Sequence, residues 1–382
     1  MAEDFTIGII GAGMGGLTAA AALQRAGIKA RVYEQAAEFT RLGAGIQMSP
    51  NAMKVLRAIG LEPALREMAF QPQHQLSREW RSGEVNLDYP FGKVAEDKYG
   101  APYLLMHRGD LHRLLNTTVR EEDVLRSKRL VSFDQDGDGV TLRFADGSSD
   151  RVSAMVAADG THSHVRELLF GAADPSYTGK VAYRTTFPAA RLGGRSIDDC
   201  TKWWGADRHI VIYYTTHNRD EIYFVTSVPE PDWKTESWSA TGDLEELRAA
   251  FSGFHPTVQM VLEACPQVHK WAILTREPMP AWSKGRVTLL GDACHPMTPW
   301  MAQGAATAME DAAVLSRCVT EAGPRNIEQA FLTYESARKA RTAEIQRVSH
   351  SNTWLHRSGN TDWVFGYDAW SAPLKEPEPV QA

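Results

Sequence analysis

Cysteine is scarce in this chain, with four among 382 residues, at positions 200, 265, 294 and 318. The sequence has no Cys-x-x-Cys pair and no Cys/His cluster with metal-ligand spacing, which argues against a disulfide framework and a zinc site. No apolar run approaches the ~20 residues of a membrane span. Neither charge sign dominates: 41 Lys and Arg stand against 47 Asp and Glu, a net charge of −6. That balance excludes a general nucleic-acid or anionic-membrane surface but leaves room for a local basic pocket. There are no internal repeats, and no basic, apolar leader opens the sequence, so the expected setting is soluble, reducing and cytoplasmic. Hydrophobic content of 43% and charged content of 23% are ordinary for a globular chain. The length exceeds the ~250–300 residues at which single cores divide, so two domains, or one with a large insertion, are expected.

What is present is glycine in three informative places. The first is Gly11-Ala-Gly13-Met-Gly15-Gly16. It follows the apolar run Phe5–Ile10 and opens an alanine- and leucine-rich segment, Leu17–Ala26, expected to be a helix. A second strand is expected over Ile28–Glu34. This is a βαβ unit of about the ~30 residues a dinucleotide fold uses. Gly11 permits the tight turn, Gly13 leaves room for a pyrophosphate, and Gly16 lets the helix pack closely on the strand. The helix N-terminus offers free N–H groups to the phosphates. Glu34, at the end of the second strand, is placed to accept bonds from ribose hydroxyls. The alternative is a glycine-rich turn with no ligand, and the motif alone does not separate NAD from FAD.

The second place is Asp159-Gly160, which ends the apolar segment Val152–Ala157 and leads into Ser163 and Arg166. The third is Gly291-Asp292 with His295-Pro296, after an expected strand over Arg286–Leu290 and before a helix over Ala305–Cys318. Each is weak evidence alone, since carboxylates at strand ends also cap helices. Both nevertheless lie where open α/β folds bind ligands, at the carboxyl edge of a sheet.

Between them the texture changes. Residues 72–100 are polar and read as irregular. A hairpin region spans 129–158, with turn signals at Asp136-Gly-Asp-Gly139 and Asp146-Gly147. From 175 to 275 aromatics and alternation increase, as in His209-Ile-Val-Ile-Tyr-Tyr-Thr215, and antiparallel strands are expected. Period two puts His209, Val211 and Tyr213 on one face. Asp110 is the expected N-cap of a helix over Leu111–Val119. Ile327–Val348 reads as a charged, solvated packing helix, and the tail Lys375–Ala382 as disordered.

The joint occurrence of Gly11-x-Gly13-x-x-Gly16, Asp159-Gly160 with Arg166, and Gly291-Asp292 with Pro296 resembles the group A FAD-dependent aromatic hydroxylases, over nearly the whole chain. The resemblance implies their p-hydroxybenzoate hydroxylase-like α/β fold. In it a Rossmann-like FAD-binding domain (1–71, 101–174, 276–325) carries an inserted antiparallel-sheet substrate domain (72–100, 175–275), followed by a C-terminal helical segment (326–372) and a tail (373–382). It further implies that Gly11, Gly13, Gly16 and Glu34 hold the ADP part of FAD. Arg41, Arg108, Asp159, Gly160 and Gly304 add to that site, Asp292 binds the ribitol, and Pro296 lies beside the isoalloxazine. NADH or NADPH is the implied cosubstrate, with no nicotinamide domain of its own.

Finer matches, including Lys202-Trp-Trp, Asp207-Arg-His209 and Met301-Ala-Gln-Gly304, resemble the branch that holds salicylate hydroxylase and 6-hydroxynicotinate 3-monooxygenase. In the pyridine enzyme the residues matching Cys200, His209 and Tyr213 line the substrate site, and histidine stands where this chain has Gln47 and Trp300. Glutamine cannot titrate, and tryptophan narrows the pocket while adding a stacking surface. Gln47, Cys200, Trp300 and Met301 are therefore the expected pocket residues, and His209 and Tyr213 the catalytic pair. His209 would bias the substrate's hydroxyl proton and Tyr213 would orient a hydroxyl or carboxylate. On a strand, such a histidine and tyrosine are more often packing residues.

The implied activity is hydroxylation of a hydroxylated aromatic or pyridine carboxylate by NAD(P)H and O2, through a flavin C4a-hydroperoxide and with loss of CO2. The expected protein is a monomer or homodimer that binds neither nucleic acid, membrane nor metal. The alternatives are a non-decarboxylating hydroxylase of the 3-hydroxybenzoate type and an FAD reductase or halogenase of related fold. The Trp-x-Trp-x-Ile-Pro signature of halogenases is missing.

Overall fold

The structure of the protein, a computed structural model, describes residues 5–41, 44–233, 240–357 and 359–374. The opening strand Thr6–Ile10 is buried throughout and pairs in parallel with Lys29–Tyr33 on one side and Ala154–Ala157 on the other. The helix Met14–Arg25 connects the first pair; it begins three residues earlier than the apolar pattern suggested, at the glycine turn itself. These strands belong to a six-stranded sheet in the order Ser283–Lys284, Val287–Leu289, Ala154–Ala157, Thr6–Ile10, Lys29–Tyr33, Val124–Leu125. Only the Ser283–Lys284 edge is antiparallel.

That order explains the three glycine segments. Val287–Leu289, Ala154–Ala157 and Thr6–Ile10 are adjacent and parallel. They run respectively into Gly291-Asp292, Asp159-Gly160 and Gly11, so their carboxyl ends stand side by side. Pairing distant strands in parallel is what brings these remote segments to one edge.

The second sheet has seven strands, ordered His269–Thr275, Ser176–Pro188, Glu221–Pro229, His209–Tyr214, Cys200–Trp204, His74–Glu79, Val85–Pro90. It is antiparallel except where Cys200–Trp204 meets His74–Glu79 in parallel. The last two strands, with the helix Gly92–Tyr99, fall in the stretch read as irregular. Their few apolar residues gave no period; the pairing partner, not local pattern, makes them strands. Short helices Leu244–Ala250 and Pro256–Ala264 also interrupt the region expected to be strands alone. One hydrophobic core surrounds the first sheet and a second, rich in aromatics, surrounds the other.

Three further expectations need correction. The helix Arg108–Asn116 starts earlier than expected, and its N-cap is His107, whose Nδ1 accepts from Gly109 N at 3.0 Å, not Asp110. The apolar segment 152–157 is two strands, because the residues before Ser153 turn away into a three-stranded sheet. The helix Ile327–Ser351 is not simply solvated, since it buries Tyr334, Arg338 and Ile345 completely. The tail 375–382 lies outside the described residues, as do Leu42 and Gly43 beside Arg41.

Candidate active site

At the carboxyl edge of the first sheet, the Gly11 turn has the geometry its sequence requires. Gly11 has a φ of +100°, in the region L side chains avoid. A Cβ on Gly16 would lie 2.0 Å from Gly11 O, so the helix start packs against the turn with no space for a methyl group. A Cβ on Gly13, in contrast, would meet nothing within 4 Å. Gly13 therefore faces open space while Gly16 faces the protein. This is the cradle a pyrophosphate needs, and the residues present fit the ADP portion of FAD. Glu34 braces the turn: its two oxygens accept from Ala12 N and Ala36 N, both at 2.8 Å.

The neighbouring loops are tied to each other. Asp159 accepts from Ser163 Oγ at 2.6 Å and from Val165 N at 3.1 Å. Burial raises its pKa, while those bonds act in the opposite direction. Arg166, almost wholly buried, donates to Thr161 O at 2.8 Å and to Ala293 O at 3.0 Å, which clamps the Asp159-Gly160 loop onto the Asp292 loop.

Behind the Asp292 loop lies a buried polar network. Asp311 accepts from Gly291 N at 3.1 Å and from Arg338 Nε at 2.7 Å, and its Oδ2 lies 2.5 Å from His295 Nε2. Glu310 accepts from Arg338, Arg341 and Asn51. Burial opposes charge on both acids, yet the cationic neighbours hold their pKa values below the ordinary carboxylate range. His295 is thus a brace for the loop. With Cys294 and Asp311 it forms a group of three donor atoms within 4.8 Å, a cluster the sequence spacing did not reveal. Asp311 already accepts from Gly291 N and Arg338 Nε and lies against His295 Nε2, and burial pushes the Cys294 thiol well up, so the group fits a hydrogen-bonded brace of the loop.

A cavity of about 550 Å³ runs from this edge to the second sheet. Its first part is lined by Gly13, Arg108, Gly160, Asp292 and Gly304, and its middle by Pro296, Trp300 and Met301. Asp292 and Arg108 are open to the cavity yet enclosed by protein. Burial raises the Asp292 pKa, with Arg108 acting against it, and burial lowers that of Arg108.

The far wall is one face of the seven-stranded sheet. Register places Cys200 opposite Tyr213, Lys202 opposite Val211 and Trp204 opposite His209. The next strand continues the rows with Tyr223, Val225 and Ser227. Lys202, His209, Val211 and Tyr213 line the cavity. Cys200, on the same face, is fully buried and contributes no lining surface, and burial raises its thiol pKa. Gln47 enters from the opposite side, where its Oε1 accepts from Tyr103 OH at 2.6 Å. Burial holds the phenols of Tyr103 and Tyr213 well above their ordinary pKa, so both remain donors.

Arg41 lies apart from this constellation. Its side chain is exposed, pairs with Asp110 and Glu221, and does not line the cavity. Conversely, Lys202 and Arg184 do, and were not singled out as site residues. The alternation that marked His209 and Tyr213 also marks them; only strand order shows that their face is the inner one. His209 was expected to titrate near neutrality. Burial, then Lys202 and Lys180, instead push its pKa well below 6.5, so it enters the site as a neutral imidazole.

A protein family described as FAD binding domain matches residues 4–349. The chain is 49% identical to the 6-hydroxynicotinate 3-monooxygenase of Bordetella bronchiseptica, over 97% of either chain. It is 45% identical to the 6-hydroxynicotinate 3-monooxygenase of Pseudomonas fluorescens, over 99% of each. Among solved structures, HpxO of Klebsiella pneumoniae complexed with FAD and uric acid aligns with a TM-score of 0.82 at 29% identity, covering 94% of this chain and 90% of that one.

Proposed function

The chain belongs to the FAD binding domain family, as an FAD-dependent monooxygenase, and from that premise we propose that it uses NAD(P)H and O2 to hydroxylate a hydroxylated pyridine or benzene carboxylate of the 6-hydroxynicotinate or salicylate kind, with loss of CO2. One observation carries this reading. A single cavity is lined at one end by the dinucleotide turn with Arg108 and Asp292, and at the other by the sheet face with Lys202, His209 and Tyr213. Its volume of about 550 Å³ falls within the ~300–1,000 Å³ of ligand sites.

When bound, the flavin would supply hydride transfer from the nicotinamide and activation of O2 for electrophilic attack. The chain has three tasks in this reading. Gly13, Arg108 and Asp292 hold the cofactor, with the N-terminus of Gly304–Ala322 near Asp292: a Cβ on Gly304 would lie 3.9 Å from Asp292 Oδ1. Tyr213, kept protonated by burial, holds the hydroxyl on the substrate's ring. The apolar walls of Pro296, Met301 and Trp300 keep water from the reacting atoms. Carbon dioxide leaves when the attacked carbon is the one that bears the carboxylate. The reading places the protein in the cytoplasm as a monomer or homodimer. Among the described residues, no helix is long and apolar enough to cross a membrane.

The test is a purified, yellow holoenzyme assayed for NADH and NADPH consumption with 6-hydroxynicotinate, salicylate and 3-hydroxybenzoate, with product mass and CO2 recorded. Equimolar CO2 with one of the first two is the expected result. Hydroxylation without CO2 release moves the protein to the non-decarboxylating class. A colourless protein that gains no flavin on addition of FAD ends the proposal. His209→Ala should leave the flavin bound and divert reducing equivalents to H2O2; unchanged coupling would return His209 to packing.

A further inference from the structure

The sheet end of the cavity carries buried hydrogen-bond donors, Lys202 among them. Lys202 is buried and lines the cavity, and its Nζ sits 3.8 Å from the centroid of the Trp204 ring. Among the described residues, the charged side chain that perturbs it is another cation, Lys180. Trp300, also a lining residue, carries a buried indole N–H with no acceptor among the described residues, and so does Trp204. A buried ammonium among unmatched N–H groups costs free energy unless a ligand supplies oxygen acceptors.

One side chain from outside the sheet organises this end. Asn352 closes the helix Ile327–Ser351 with a φ of +52°, a left-handed cap that asparagine tolerates. A capping role would leave its amide free. Instead Oδ1 accepts from Lys202 Nζ at 3.2 Å, and Nδ2 faces His209 Nδ1 at 3.4 Å. An ammonium only donates, which fixes the amide's orientation; Nδ2 then donates to Nδ1 of the imidazole. The neutral ring must carry its proton on Nε2, and His209 becomes a second donor at the cavity wall.

We infer that Lys202 and His209, positioned by Asn352, seat the carboxylate of the substrate. This rests on the aromatic-carboxylate reading above and goes beyond it, because it assigns the recognition of that group. His209 then acts as a fixed donor and not as the base for the ring hydroxyl, which is left to the Tyr213 and Gln47 side of the cavity.

Calorimetric titration of the holoenzyme with three ligands tests it: 6-hydroxynicotinate, nicotinate, which lacks the hydroxyl, and 2-hydroxypyridine, which lacks the carboxylate. Lys202→Met should weaken both carboxylates about tenfold or more and leave 2-hydroxypyridine within about twofold. Asn352→Gly preserves the left-handed cap and should weaken the carboxylates by about three- to tenfold. It should also move the His209 15N resonances away from the Nε2–H tautomer. Asn352→Asp, which sets a carboxylate beside Lys202 in the same backbone conformation, should mimic the Lys202→Met pattern. Equal weakening of all three ligands, or loss confined to those bearing the hydroxyl, overturns the assignment. An unchanged tautomer with unchanged affinity in Asn352→Gly overturns the positioning role. A wild-type enzyme that binds neither carboxylate defeats the substrate reading instead.

Discussion

At the scale of single residues, the site is governed by what burial does to charge. Lys202 illustrates it: removal from water, with Lys180 adding to it, lowers its pKa from 10.5 to about 7. His209, His356, Asn352 and Trp204 complete its surroundings, and all are neutral partners near pH 7 or above. Only the protonated amine attracts an anionic ligand. The dissociation constant of a bound carboxylate should therefore be flat below pH 7 and rise by up to about tenfold per unit above it, measured by titration between pH 6 and 9. Stability responds with the opposite sign. Between pH 7 and 10.5 the unfolded chain binds a proton that the folded chain does not, so the ligand-free protein gains stability as pH rises through that window. A rise of the dissociation constant with pH that persists in Lys202→Met would show that the amine is not the titrating group.

At the scale of elements, one motif contains two kinds of glycine that fail differently. In Gly16→Ala the new methyl collides with Gly11 O, so folding itself suffers, by about 1–3 kcal/mol or more. In Gly13→Ala the methyl enters open space. The apoprotein should then keep its melting temperature while FAD affinity falls. Thermal melts of both apoproteins, alongside flavin retention after gel filtration, separate the two; equal melting losses would contradict the placement. The helix Gly304–Ala322 is anchored to Ile327–Ser351 through Asp311, Glu310, Arg338 and Arg341. Removing one partner leaves a buried charge uncompensated. Asp311→Ala should therefore cost about 3–5 kcal/mol in urea unfolding, and a loss under about 1 kcal/mol would reduce this network to decoration.

At the scale of the molecule, two hydrophobic cores meet across the cavity, one built on each sheet. In the proposed reading, a cofactor gripped at the edge of the first and facing the second would tie them together. FAD should raise the melting temperature of the apoprotein in a concentration-dependent way, by the equivalent of about 2.7 kcal/mol at a hundredfold excess over its dissociation constant. A melting temperature indifferent to FAD would mean that the cavity is not where it binds.

The sequence by itself determined the geometry of the glycine turn at the first sheet. The spacing of Gly11, Gly13 and Gly16 demands a turn, an open cradle and a tight helix start, because those requirements are local and act through the absence of a side chain. Alternation over 209–214 likewise put His209 and Tyr213 on one face, since strand geometry has period two. Tertiary structure alone decided which face looks inward, that Lys202 and Arg184 share it, and that residues 72–100 supply two more strands. It also decided that Asp311 spends its charge on His295 and Arg338, and that Asn352, a helix cap by its local conformation, reaches across to the sheet. These depend on partners more than a hundred residues away in some cases and on the dielectric of an enclosed space, and neither leaves a periodic trace in the chain.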